Sequence, residues 1–271
     1  MLFFCYLKKC IFNIGDMWSE QQDKAPSATR RPLVSLRRVS RFYGTTRSAL
    51  FDVSLDIAPG EFVYITGPSG AGKSTLLRML GALETPDTGR VMFNGHDLAS
   101  LKRSAISLLR RSMGIVFQDF RLVPELTVAA NIALPIEVIG LSRDDIARRV
   151  DEVLERVGLE GRQRERAGEL SGGEQQRIAI ARAIVSRPEL SLADEPTGNL
   201  DAYNGDFVLD LLEQTAAGGA TVVLATHDRM LMAARPHRTL ALKNGRLMGM
   251  SSQSSDEKVH ARPDNRLRSI G

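Results

Sequence analysis

Two glycine-rich segments carry the residue types that handle phosphate. Gly67-Pro68-Ser69-Gly70-Ala71-Gly72-Lys73-Ser74 has the G-x-x-x-x-G-K-S spacing of a phosphate-binding loop. In such a loop the backbone N–H groups of Gly70–Ser74 wrap the β- and γ-phosphates of a nucleoside triphosphate. Glycine is required there because a Cβ would obstruct the approach. Lys73 would place positive charge on the phosphates, and the Ser74 hydroxyl would coordinate Mg²⁺. The second segment, Leu170-Ser171-Gly172-Gly173-Glu174-Gln175-Gln176, opens another helix and can hold a phosphate at its N-terminus. One chain with both segments is suited to closing a nucleotide between two copies of itself.

Acid–base and metal-binding candidates stand at the ends of apolar runs. Asp194 ends one such run, where it would hold Mg²⁺ through water, and the adjacent Glu195 would polarise an attacking water. His227 follows the run Thr221–Thr226 and would reach the γ-phosphate and sense it. Gln118 follows Gly114–Phe117 and would offer its amide oxygen to Mg²⁺. Tyr43 would stack on adenine; a place in the core of the first strands is the plain alternative. Ser191 interrupts an otherwise apolar run, and its hydroxyl is expected to hydrogen-bond locally.

These residues need strands and helices to position them. Short β-branched or alternating runs at Leu33–Val39, Leu50–Ile57, Glu61–Thr66 and Arg90–Phe93 predict strands, with Ala58-Pro59-Gly60 and Asn94-Gly95 as breakers. Glu61–Thr66 feeds the phosphate loop, and Lys73–Leu83 reads as the helix after it. Residues 119–170 change character: Ile146, Val150, Val153, Leu154 and Val157 recur at helical spacing among charges. Ser171 is placed as the N-cap of a helix Gly172–Ser186, which Pro188 ends. A strand Leu190–Ala193, a helix near Asp206–Ala216 and a strand Thr221–Thr226 follow. Thr239–Leu242 and Arg246–Met248 flank Asn244-Gly245, a hairpin turn signal.

Composition narrows the function classes. The 271 residues are 43% hydrophobic, ample for a packed core, yet no apolar run is long enough to span a membrane. Residues 1–50 hold nine Lys/Arg against three acids, an excess larger than the whole chain's net +4. The remainder is therefore slightly acidic, which argues against nucleic acid as a partner. Cys5 and Cys10 show no metal or redox spacing and read as free thiols. The apolar stretch at 2–14 precedes its lysines and lacks a small-residue cleavage site, so it does not read as an export signal. Met17 is an alternative start. Residues 1–32 and the Ser-rich, charged 251–271 are expected to be disordered.

In order along the chain, Tyr43, Gly67–Ser74, Gln118, Leu170–Gln176, Leu190–Glu195, Asn199-Leu200-Asp201 and His227 resemble the motif series of ATP-binding-cassette (ABC) ATPases. The resemblance covers about residues 33–250. It implies an α/β fold: a P-loop NTPase (RecA-like) core, an antiparallel β subdomain, and an inserted helical subdomain at about 119–186. It also implies Mg²⁺-dependent ATP hydrolysis in a head-to-tail homodimer. ATP contacts would come from Tyr43, Gly67, Pro68, Ser69, Gly70, Ala71, Gly72, Lys73, Ser74, Thr75 and Gln118. Ser171, Gly172, Gly173 and Glu174 would meet the ATP of the other copy. Glu195 would be the general base, His227 the γ-phosphate sensor, Ser74, Gln118 and Asp194 the Mg²⁺ ligands, and Asp201 a coupling residue between the two sites. Within the family, Leu109–Phe120, with Asp119 directly after Gln118, and Thr127–Pro135 resemble the branch serving bacterial cell division. ATPases of lipoprotein release and macrolide export are the nearest alternatives. Either branch implies an integral membrane partner in another chain, with this chain on the cytoplasmic face of the inner membrane.

Overall fold

The computed structural model describes residues 31–44, 47–198, 200 and 202–251. Period-two alternation gives its central strands two apolar faces. In β3 (Phe62–Thr66), Phe62 and Tyr64 face one core while Val63 and Ile65 face another. In β8 (Thr221–Ala225), Val222 and Leu224 share the first core, and Val223 and Ala225 the second. With both faces covered, near-continuous apolar runs are what a parallel strand requires.

Two sheets result. β1 (Val34–Tyr43), β2 (Arg47–Ile57), β4 (Thr88–Phe93) and β5 (His96–Asp97) form an antiparallel sheet in the order β2-β1-β4-β5. β6 (Met113–Val116), β7 (Leu190–Asp194), β9 (Arg238–Lys243) and β10 (Arg246–Ser251) join β3 and β8 in the order β10-β9-β3-β8-β7-β6. Every pairing in that sheet is parallel except β9 with β10. Their hairpin turns at Asn244 and Gly245, both with positive φ as a type I′ turn demands. β10 reaches Ser251, one residue into the segment expected as a tail.

One core lies between the two sheets and encloses α1 (Lys73–Leu80), whose Leu76, Leu77, Met79 and Leu80 are buried. The short α2 (Arg103–Arg110), unforeseen in the sequence, lays Ile106 and Leu109 against the same core. The other core holds α3 (Val128–Val138), α4 (Arg143–Arg156), α5 (Gly172–Ile184) and α6 (Ala202–Ala217). Val150, Val153 and Leu154 form the buried face of α4, as their spacing predicts. β6 can approach α5 closely because Gly114 has no side chain: a Cβ there would stand 2.1 Å from the Ala183 carbonyl oxygen. Ser191 corrects the expectation of a local bond. It is 3% exposed in β7, between Gly114 of β6 and Val222 of β8, neither of which offers a polar side chain, and its hydroxyl has no protein partner. Among the described residues no helix is long and apolar enough to cross a membrane.

Candidate active site

Four parallel strands end on the same side of the sheet. β3 leads into Gly67, β6 leads to Gln118, β7 ends in Asp194 beside Glu195, and β8 leads to His227. Residues far apart in the sequence thus meet at the carboxyl ends of strands, where open α/β sheets bind ligands.

The phosphate loop closes on backbone. Gly72 caps α1 with φ 106, and a Cβ there would stand 2.3 Å from the Ala49 carbonyl oxygen. The loop therefore demands glycine at this position on its packing side as well. No side chain caps α1 and no acidic residue lies in its first turn. Its first amides are thus left to an external acceptor, and the helix dipole favours an anion there. A cleft of about 300 Å³ is lined by Tyr43, Ser69, Gly70, Ala71, Gly72, Lys73, Ser74, Thr75, Gln118 and Glu195.

Lys73 is nearly buried. Its Nζ donates to the Gly67 carbonyl at 2.9 Å and lies 3.4 Å from Glu195 Oε1. The same Glu195 oxygen is 3.2 Å from His227 Nδ1, so Lys73, Glu195 and His227 form a connected chain. Glu195 takes φ 47, a left-handed backbone that is strained for a residue with a side chain. Its amide is held by the Ala225 carbonyl at 2.9 Å, which fixes the bend after β7 against β8. Burial pushes the Asp194 carboxyl above the usual range, a hydrogen bond from Ser74 draws it down, and the neighbouring Glu195 pushes it up again. Ser74, Asp194 and Gln118 line one further cavity together, an all-oxygen donor set that suits a hard cation. Among the described residues no three His, Cys, Asp or Glu side chains cluster as a metal cage.

Tyr43 lines the cleft, but its hydroxyl donates to the Glu84 carboxylate at 2.7 Å and the Arg41 guanidinium stands 5.3 Å from its ring centroid. Stacking on a base would use the ring face away from Arg41. The second glycine-rich segment starts α5 with a capping box. Ser171 Oγ accepts from the Glu174 amide at 3.4 Å, and Glu174 Oε2 accepts from the Ser171 amide at 2.9 Å. The bonds from Ser171 hold the Glu174 carboxyl below its usual range. A Cβ on Gly172 would meet nothing within 4 Å, so this helix end is open. Asp201 lies outside the described residues.

Two supporting residues escaped the sequence reading. Asn131, fully buried on α3, accepts from the Val123 amide at 2.8 Å and donates to the Val123 and Thr127 carbonyls at 3.0 and 3.1 Å. It pins the loop that follows Gln118. Asp228 caps the short α7 (Arg229–Ala234) beside His227, accepting from the Met230 and Leu231 amides at 2.9 and 3.1 Å. A lone Asn in the apolar run 126–139 was the available signal for the first.

A P-loop core with a second, outward-facing glycine-rich helix end defines an ATP-binding cassette. The ABC transporter family pattern matches residues 50–198, and the chain belongs to that family. It is an ATPase. Its sequence is similar to proteins called cell division ATP-binding protein FtsE. With that of Streptococcus pneumoniae serotype 2 (strain D39 / NCTC 7466) it is 48% identical over 80% of this chain and 94% of the relative. With that of Escherichia coli (strain K12) it is 45% identical over 80% and 98%. A solved dimeric structure of a post-hydrolysis state of the ATP-binding cassette MJ0796, bound to ADP and Pi, superposes with TM-score 0.76. Its identity is 36%, over 82% of this chain and all of that one.

Proposed function

We propose that this chain is the ATPase subunit of a cell-division membrane complex of the FtsE–FtsX kind. The carrying observation is the 48% identity to an FtsE protein across nearly that protein's whole length. On this reading two copies close head to tail around ATP. Each ATP lies between the phosphate loop of one copy and Ser171-Gly172-Gly173 of the other. Lys73 and the amides of Gly70–Thr75 hold the phosphates, and Tyr43 packs on the base. Ser74, Gln118 and Asp194 would hold Mg²⁺, Asp194 through water; when bound, the ion offsets charge on the phosphates.

Glu195 is the general base for water, and His227 senses the γ-phosphate from the other side of the same carboxylate. Asp201 couples the two sites. The Lys73–Glu195–His227 chain supports this assignment, because phosphates drawing Lys73 onto themselves would release Glu195 to a water. Closure is favoured by the differential affinity of ATP for the closed state, and this difference moves a membrane partner resembling FtsX. Through that partner the complex controls peptidoglycan hydrolases from the cytoplasmic face of the inner membrane at the division site.

Imaging a fluorescently tagged copy in dividing cells, with depletion of the native protein, tests the role. Midcell rings and filamentous cells on depletion are expected. Uniform membrane labelling with normal division would move the chain to the exporter or lipoprotein-release branch.

A further inference from the structure

Arg182 lies on α5, eleven residues along the same helix from the N-cap Ser171. Its side chain crosses to the loop after Gln118. Nη1 donates to the Arg121 carbonyl at 2.7 Å, and Nη2 donates to the Phe120 carbonyl at 2.7 Å. Both acceptor residues have left-handed backbone, with φ 58 at Phe120 and φ 49 at Arg121. Two consecutive non-glycine residues in that region persist only where surrounding contacts hold them. The guanidinium is half-buried and burial lowers its pKa, with no carboxylate compensating. A planar fork spanning two adjacent carbonyls is a geometry that arginine provides and lysine does not.

The loop itself is tied to the nucleotide cleft. Gln118 lines it two residues before Phe120, and the Arg121 guanidinium stands 4.0 Å from the Phe117 ring centroid. The helix at the other end of the clamp opens with Ser171 and Glu174 in their capping box. α5 runs unbroken from Gly172 to Ile184, so one helix carries both Arg182 and the Ser171 end.

We infer that Arg182 is a positioning residue that couples the Gln118 loop of one nucleotide site to the Ser171 end of α5, which serves the other site. This inference rests on the head-to-tail closure proposed above and adds the link by which occupancy of one site sets the second. The clamp touches neither phosphate loop nor general base, so it affects closure and leaves ATP binding by the open monomer intact.

The test compares full-length Glu195→Gln with Glu195→Gln/Arg182→Lys by sedimentation at graded protein concentration with saturating ATP. Lysine keeps the charge and the packed stem but cannot bridge both carbonyls. The double variant should dimerise about tenfold more weakly, within the usual range of coupling between sites. Its ATP affinity as a monomer and its thermal midpoint should stay those of the single variant. In hydrogen exchange, ATP should alter amides near 119–123 and 171–175 together in the single variant, and only the first group in the double. Equal dimerisation of the two proteins overturns the inference. So does a parallel fall in dimerisation, ATP affinity and thermal midpoint, which would assign Arg182 to the fold. A Glu195→Gln protein that stays monomeric with ATP instead sinks the closure reading itself.

Discussion

Glu195 holds a strained backbone so that one carboxylate oxygen faces both Lys73 and His227, at 3.4 and 3.2 Å. Glu195→Gln keeps the shape and removes the base. Hydrolysis should slow by about 10²–10⁴-fold with ATP affinity retained, read by phosphate release and equilibrium binding. Normal turnover would remove Glu195 from the role. Lys73→Ala deletes the buried cation and should abolish nucleotide binding; a titration with unchanged affinity would contradict the phosphate-loop assignment. Asp194 shows the opposite side of site chemistry. Burial raises its folded-state pKa above the ordinary 3.8, so stability is fully present below that value and lost as pH rises through the raised one. At neutral pH the ionised carboxylate therefore destabilises the nucleotide-free fold. Asp194→Asn should raise the thermal midpoint at pH 7 while weakening Mg²⁺-dependent nucleotide binding. A lowered midpoint would reject this account.

Among the helices, α3 and α5 hold the chain after Gln118 through Asn131 and Arg182. α3 contains Pro135 yet packs Val128, Ile132 and Ile136 into the core, and its buried Asn131 ties down the chain after Gln118. Asn131→Ala would remove the acceptor of the Val123 amide and the donor to the Val123 and Thr127 carbonyls, at about 0.5–1.5 kcal/mol per hydrogen bond lost. Denaturant unfolding should show that loss, and faster hydrogen exchange at 122–127 should accompany it. The helices over 119–186 were legible as elements because apolar residues recur at helical spacing in α4 and because Ser171 is placed as an N-cap. α2 was not legible: with eight residues and a narrow apolar stripe, it is decided by the core beside it, where Ile106 and Leu109 find cover. The unpartnered Ser191 hydroxyl was equally invisible, since the sequence does not say which groups surround a strand residue.

Across the whole molecule, Tyr64 joins distant segments. It is fully buried in β3, and its hydroxyl donates to the Arg235 carbonyl at 3.1 Å beyond α7. Burial, with Glu213 nearby, raises its pKa from 10.0 to about 12. Stability from the protonated phenol is thus fully present below pH 10 and lost as pH rises through about 12, a loss of about 2–3 kcal/mol. Alkaline unfolding should show this phase in the native chain and lack it in Tyr64→Phe; identical profiles would refute it. The sequence by itself determined the class of this protein: glycine spacing, strand-end carboxylates and turn residues are local requirements that leave local marks. Their order along the chain was readable for the same reason. Only the tertiary structure decided that β3, β6, β7 and β8 end on one side of one sheet. It alone decided that Glu195 lies between Lys73 and His227, and that Arg182 grips two carbonyls 61 and 62 residues away. Those are long-range contacts, fixed by which faces bury together, and no spacing along the chain records them.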